Sequence, residues 1–268
     1  MNLRRTDRVD VTGDRSEGAS SEGYDRARYN PSLRKIWPWP TALLERAAGW
    51  IRGLPGQVWL DAACGEGHLG ALLGGERTLI GLDLDPIRLR RAQPRSYRLL
   101  LQGSVSSIPV RDEAVAGIAS VETLEHVADL DRAIREFARC LGPNGHVVVT
   151  VPSVTLRSWW EMRRTGRPVY CDAQEHVREF SSVPITGFPH KFETWEEFEG
   201  RWRRHGLAVI RTDGVGILFP MCHGPLSWAE RLMNQFYRES WNRWLGRLPF
   251  LRRFPYYRMY LLQKRGSS

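Results

Sequence analysis

From residue 41 to residue 151 the apolar positions change rhythm repeatedly, between a period near 3.6 and short, almost continuous runs. Leu43, Leu44, Ala47, Ala48 and Ile51 recur at helical spacing and predict a helix over 41–51. A strand follows at 58–60, a short helix at 68–73 and a second strand at 78–82 that delivers Asp83 at its end. Asp85 and Pro86 form an N-cap and first-turn pair for a helix reaching about Gln93, where Pro94 stops it. Strands are expected at 97–102, 115–120 and 146–151. Between the last two, Asp129 caps a helix over 130–141 with Leu130, Ala133, Ile134, Phe137 and Leu141 on one face, ending at Gly142. Thr194 and Glu197 form a capping box for a helix that ends at Gly206, before strands at 207–212 and 257–263. Strands alternating with helices imply an α/β fold: a doubly wound, Rossmann-like, mostly parallel sheet of seven strands under a helical and loop cap.

The chemistry concentrates in Val58 to Asp85, VWLDAACGEGHLGALLGGERTLIGLDLD. Glycine lets a backbone turn sharply and approach a ligand, and a carboxylate about 20 residues on meets a ribose diol. Gly65, Gly67 and Gly70 satisfy G-x-G-x-x-G, a pattern that by itself equally suits a dinucleotide. Asp61 separates the readings. An acid at the end of the first strand repels a pyrophosphate and attracts an ammonium or sulfonium group. The ligand expected is therefore S-adenosylmethionine rather than NAD.

The run Asp61-Ala62-Ala63-Cys64-Gly65-Glu66-Gly67 resembles the first motif of the class I S-adenosylmethionine-dependent methyltransferases, in particular the group related to ubiquinone and menaquinone biosynthesis enzymes, with Ala63 in place of one glycine. Gly103-Ser104-Val105 stands where that family has Gly-Asp-Ala. Ala116 replaces a frequent aspartate, and Glu122-Thr123-Leu124-Glu125-His126 follows the fourth strand as in the family. Leu141-Gly142-Pro143-Asn144-Gly145 is similar to its Leu-x-Pro-Gly-Gly turn, with asparagine at a position needing positive φ. The resemblance covers about residues 55–152. It implies that Asp61, Ala63, Gly65 and Gly67 hold the amino-acid end of S-adenosyl-L-methionine and Asp83 the ribose, with Leu84 and Glu122 in the same cofactor set. Ser104 and the Val105 amide would meet the adenine.

It also implies a transferase acting on a small-molecule acceptor, at a hydroxyl oxygen. Methyl transfer needs alignment and, for a hydroxyl, a base. His126, past the fourth strand, and His176, in Glu175-His176-Val177-Arg178, are the candidates, with a structural or orienting role the alternative for His126. Trp159, Tyr170 and His176 are expected to face the acceptor, because the stretch after the fifth strand follows the sheet edge where α/β proteins bind ligands.

Composition narrows the class. With 268 residues and 42% hydrophobic content the chain can bury one full core. The expected organisation is a disordered or lid-like segment over 1–28 and a methyltransferase domain over 29–268, with a cofactor-binding core at 55–152 and cap segments at 153–193 and 213–256. Cys64, Cys140, Cys171 and Cys222 show no C-x-x-C, which fits reduced thiols in the cytoplasm and no metal site. No apolar run reaches the roughly 18 residues that span a bilayer.

The net charge of +9 is uneven: residues 225–268 hold 9 basic and 2 acidic side chains, a local +7. In that segment Ala229, Leu232, Met233, Phe236, Tyr237, Trp241, Trp244 and Leu245 recur at helical spacing over 226–245. Such a stripe is read first as core. The second reading is peripheral contact with a membrane surface, where the acceptor would be a quinone, a prenylated compound or a lipid-linked sugar. No Asn/Asp-Pro-Pro-Tyr follows the fourth strand and no RNA-binding module is recognisable, so no specific nucleic-acid partner is expected. A non-catalytic cofactor-binding regulator is the remaining alternative, motivated by Ala63, Ser104 and Ala116.

Overall fold

The structure is a computed structural model; it describes residues 39–92, 96–153, 163–164, 170–171, 190–191, 195–215, 239–248, 255 and 257–266. The elements in chain order are α1 (Trp39–Arg52), β1 (Val58–Ala62), α2 (His68–Leu73), β2 (Thr78–Asp83), α3 (Pro86–Ala92), β3 (Tyr97–Gln102), β4 (Val115–Val121), a single 3-10 turn (Leu124–His126), α4 (Leu130–Cys140) and β5 (Leu141–Pro152). After them come β6 (Tyr170–Cys171), β7 (His190–Lys191), α5 (Trp195–Arg204), β8 (Leu207–Val215), α6 (Glu239–Leu245) and β9 (Tyr257–Lys264).

Seven strands form one sheet in the order β3-β2-β1-β4-β5-β9-β8. The four central pairings among β1 to β5 are parallel, and β9 runs antiparallel to both β5 and β8. The doubly wound architecture expected from the alternation is the one observed.

The central strands read as continuous apolar runs because both faces are covered. In β5, Val147 and Val149 point to one face, where Leu60, Ile118, Ile134 and Phe137 pack with Phe198 and Trp202 of α5. Val148, between them, points to the other face, among Trp59, Leu79, Leu43, Ala47 and Ile51 of α1, and Leu69 and Leu73 of α2. Trp59 is wholly buried and its ring lies flat on Gly117, where a Cβ would stand 2.5 Å from the indole.

Several boundaries differ from the pattern-based expectation. The helix expected over 130–141 stops at Cys140, because Leu141 is already extended and pairs with Val115. Gly142 therefore does not cap it. The register then breaks before Gly117 meets His146, which accommodates the Leu141–Gly145 turn as an irregularity within β5, and Asn144 does take positive φ, 58°. Asp129 caps α4 as expected, accepting the Arg132 N–H at 2.9 Å, and Gly206 closes α5 at φ 77°.

The β6–β7 pair went unpredicted in a stretch without patterning. Only its backbone is described, and β7 lies beside the 3-10 turn that carries His126. In the expected 226–245 helix, the described part begins at Glu239, and Trp241 and Trp244 are 62% and 59% exposed. At these two positions the stripe is not core, contrary to the first reading. The residues 1–38, the Thr194 capping box, Trp159 and His176 lie outside the described residues.

Candidate functional site

Parallel pairing sets the strand ends side by side. Asp61 is level with Gly81 on β2 and Ala119 on β4, Asp83 with Gln102 on β3, and Val121 with Thr150 on β5. The segments after them, 63–67, Leu84, 103–107 and 122–126, therefore gather along the carboxyl edge of the sheet, where ligands of such folds bind.

The turn after β1 is built by backbone bonds. The Cys64 N–H donates to the Leu82 carbonyl at 2.9 Å and the Gly67 N–H to the Cys64 carbonyl at 2.9 Å. Ala63, Gly65 and Gly67 all have positive φ, at 63°, 53° and 80°. Glycine at 67 also clears space: a Cβ there would stand 2.9 Å from the Tyr97 ring and 3.2 Å from the Ala92 Cβ. At Gly65 a Cβ would meet nothing closer than the Arg88 guanidinium at 3.9 Å, so the turn is open on that side.

Asp83 is buried and held at both oxygens. Its Oδ2 accepts the Gly65 N–H at 2.8 Å and its Oδ1 the Asp85 N–H at 2.9 Å. Burial pushes its pKa above the usual carboxylate value, while those two N–H groups and the Arg88 guanidinium oppose the shift. Asp85 in turn accepts the Ile87 N–H at 2.8 Å and starts α3. Leu84, between them, is 47% exposed.

Asp61, also buried, accepts a hydrogen bond from the Tyr97 hydroxyl. That hydroxyl accepts the Gly70 N–H at 3.3 Å. Burial raises the Asp61 pKa from 3.8 to about 7, against the Tyr97 bond and with the help of the Asp83 charge. Cys64, beside both acids, is buried, and its thiol is pushed well above the range in which it would ionise near neutrality. It is a packing residue.

On the far side of the edge, the Ser104 hydroxyl accepts the Ser106 N–H at 3.1 Å, and Ser104 bridges Ser107, closing a tight loop around buried Val105. Arg139 anchors this loop from α4, donating to the Ile108 and Val110 carbonyls at 2.9 and 2.8 Å and pairing with Glu136 and Asp112. Beyond β4, Glu122 has φ 52° and its N–H donates to the Thr150 hydroxyl at 2.9 Å. His126 is half-buried and ends the 3-10 turn. Tyr170 is described only in its backbone, in β6.

Of the sequence-derived residues, Asp61, Ala63, Gly65, Gly67, Asp83, Leu84, Ser104, Val105 and Glu122 stand on this one edge, with His126 on the 3-10 turn that follows β4. Three residues at the site had escaped notice. Tyr97 holds Asp61, Arg88 lies over the Gly65 turn, and Arg91 pairs with buried Glu66 at 2.6 Å, tying the turn to α3. Arg88 and Arg91 could have been suspected from an arginine-rich first turn after Asp83; Tyr97 gave no signal. Among the described residues no group of side chains is arranged to hold a metal ion.

Four buried carboxylates, Asp61, Glu66, Asp83 and Asp85, against two guanidiniums, Arg88 and Arg91, and an open glycine turn fit a ligand that carries a cation at one end and a diol in the middle. They fit a pyrophosphate poorly. The arrangement defines a nucleotide-binding domain of the class I methyltransferase kind. Residues 60–149 match the methyltransferase domain family. Among curated proteins, the chain is similar to the 2-phytyl-1,4-naphtoquinone methyltransferase of Thermosynechococcus vestitus, 29% identical over 47% of this chain and 58% of that one. It is also 30% identical to the tRNA (carboxymethyluridine(34)-5-O)-methyltransferase of Arabidopsis thaliana, over 48% of this chain and 31% of the relative. The chain thus spans from under a third to three fifths of the length of these relatives. An S-adenosylmethionine-dependent methyltransferase of Thermotoga maritima has the same fold, with a TM-score of 0.57 at 17% identity over 91% of this chain and 95% of that one. Residues 60–149 thus carry a methyltransferase domain, and the S-adenosylmethionine-dependent relatives imply S-adenosylmethionine as its cofactor.

Proposed function

We propose that the protein transfers a methyl group from S-adenosylmethionine to a hydroxyl oxygen of a small-molecule acceptor in the cytoplasm, with residues 55–152 holding the cofactor and the segments 153–193 and 213–256 shaping the acceptor site. The observation that carries this reading is Asp83, buried at the end of β2 with each carboxylate oxygen already fixed by one N–H. A carboxylate so held keeps lone pairs for a ribose diol at no cost in reorientation.

In this reading Ala63, Gly65 and Gly67 follow the amino-acid end of the cofactor and Asp61 faces its ammonium. Leu84 covers the adenine, while Ser104, Val105 and Glu122 border it. When bound, the cofactor supplies a methyl group already activated by a sulfonium, so the protein's work is alignment, exclusion of water and removal of the acceptor proton. His126 is the residue to take that proton. It sits just past β4, on the turn against which β7 lies, and imidazole ionises in the range a base needs. Tyr170, whose backbone pairs with β7, would line the acceptor, and Trp159 and His176 complete that side in the sequence-based scheme.

A second reading places the acceptor at a lipid surface. Trp241 and Trp244 stand exposed one helical turn apart, Leu248 beyond the end of α6 is exposed too, and residues 225–268 carry the local +7. Exposed indoles beside arginines suit an interfacial contact. Among the described residues no helix is long and apolar enough to cross a membrane.

Transfer of labelled methyl from S-adenosylmethionine to a panel of catechols, reduced naphthoquinones and unmodified tRNA, with and without anionic vesicles, tests both readings. Label on a phenolic oxygen supports the proposal, and a requirement for vesicles supports the second reading. Label on tRNA alone overturns both.

A further inference from the structure

Tyr97 opens β3 at the far end of the strand from the ligand edge, yet its ring leans along the sheet until the hydroxyl reaches Asp61, 36 residues earlier in the chain. The path is cleared by two glycines. A Cβ at Gly81 would stand 3.0 Å from the ring, and one at Gly67 2.9 Å from it. The hydroxyl accepts the Gly70 N–H from α2, so its own proton is committed to Asp61. This bond chain joins three elements around one buried acid.

The charges that face Asp61 are few. From β2 comes Asp83, itself backed by Arg88 and Asp85 of α3; from the glycine turn, the un-ionised Cys64 thiol; from β3, the Tyr97 phenol. Arg88 is engaged with Asp85 at 3.8 Å and its field falls on Asp83. None of these groups places a full positive charge against Asp61, and an ammonium brought there by a ligand would.

We propose that Tyr97 is a positioning residue that fixes the Asp61 carboxyl for the α-ammonium of the cofactor, and that cofactor binding therefore expels a proton from the Asp61–Tyr97 pair. The inference rests on the cofactor reading of this edge. In the free protein the pair holds a proton over part of the neutral range, since burial and Asp83 disfavour the carboxylate. An incoming ammonium favours the carboxylate, so the proton leaves to solvent as the ligand binds, and affinity rises with pH until the pair is ionised in the free protein as well. The Tyr97 hydroxyl stabilises the charged form; without it, the same exchange needs a higher pH.

The test is calorimetric titration of S-adenosylhomocysteine, which carries the same ammonium, into wild type, Tyr97→Phe and Asp61→Asn between pH 6 and 9. Two buffers of different ionisation enthalpy count the protons released. Wild type is expected to release a fraction of a proton near pH 7, with affinity rising severalfold from pH 6 to 8. Tyr97→Phe is expected to bind about 3- to 10-fold more weakly at pH 7, to shift its proton release to higher pH and to approach wild type by pH 9. Asp61→Asn, which keeps the shape and loses the charge, is expected to bind weakly with no exchange attributable to this pair.

Binding by wild type without proton release, or a Tyr97→Phe deficit equal at every pH, overturns the inference and leaves the cofactor reading intact. Failure of the wild type to bind at any pH overturns both.

Discussion

The Gly65 N–H donates to Asp83 Oδ2 at 2.8 Å, a bond that spans 18 residues and ties the glycine turn after β1 to the acid at the end of β2. The two features that a reader of the sequence pairs by spacing are thus one physical unit. The turn takes its positive φ partly to present that N–H, and the acid is oriented before any ligand arrives. Asp61 and Asp85 add two further buried carboxylates around it, at a cost in stability that the Arg88 charge and the backbone donors only partly offset. Site residues held in this way are expected to show trade-offs between stability and binding.

Asp61 gives that cost a pH signature. In the unfolded chain it titrates near 3.8, in the folded protein at about 7. Between these values the folded state holds a proton that the unfolded state has lost, so this group's contribution falls as pH rises, by up to about 1.4 kcal/mol per pH unit, and levels off above pH 7. Asp61→Asn should therefore gain stability over wild type as pH goes from 5 to 8, by on the order of a few kcal/mol. Urea unfolding of both proteins across that range checks it; parallel curves would show that Asp61 does not titrate in this window.

Ala63 holds φ at 63°, in the left-handed region that a Cβ disfavours by roughly 1–2 kcal/mol. Glycine there would avoid the penalty and lose about 0.5–1 kcal/mol through the freedom of the unfolded chain. Ala63→Gly should thus stabilise the free protein by up to about 1 kcal/mol, read as a higher urea midpoint with an unchanged slope. A lower midpoint would mean that the methyl group contributes packing that outweighs the backbone strain.

Arg139 fastens the loop that carries Ser104 and Val105. It donates to the Ile108 and Val110 carbonyls, and its partner Glu136 accepts the Ile108 N–H at 2.8 Å. Arg139→Ala removes the donors to two carbonyls and is expected to cost about 1–3 kcal/mol, with the larger change in local opening. Hydrogen exchange at Ile108 should accelerate while that of Val148 and Ile118 in the central sheet follows only the global loss. Equal acceleration everywhere would place Arg139 in the general scaffold rather than the loop anchor.

What could be read from the sequence was what is local in it. The strands from β1 to β4, the caps at Asp85, Asp129 and Gly206 and the positive φ of Asn144 follow from patterns within a few residues and agree to within two residues, whereas β5 begins five residues before the expected 146. Asp61, Gly65, Gly67 and Asp83 were found because the turn and the acid sit at fixed spacing. Tyr97 was invisible because its role depends on a tertiary contact across three strands and on two glycines that make room for its ring. Two-residue strands such as β6 and β7 have no period to detect. The exposed face of Trp241 and Trp244 was misjudged because a 3.6-residue stripe reports that a helix has an apolar face, and says nothing of what that face meets.

The measurement that tests the account most directly is calorimetric titration of S-adenosylhomocysteine into wild type and Asp83→Ala, with NAD as the control ligand. The predicted result is binding by wild type, no binding of NAD, and a loss of about 1–3 kcal/mol in the variant, roughly 5- to 150-fold, from the ribose hydroxyls left without their acceptor. Binding of NAD in place of S-adenosylhomocysteine, or equal binding by both proteins, would contradict the placement of the cofactor on Asp83.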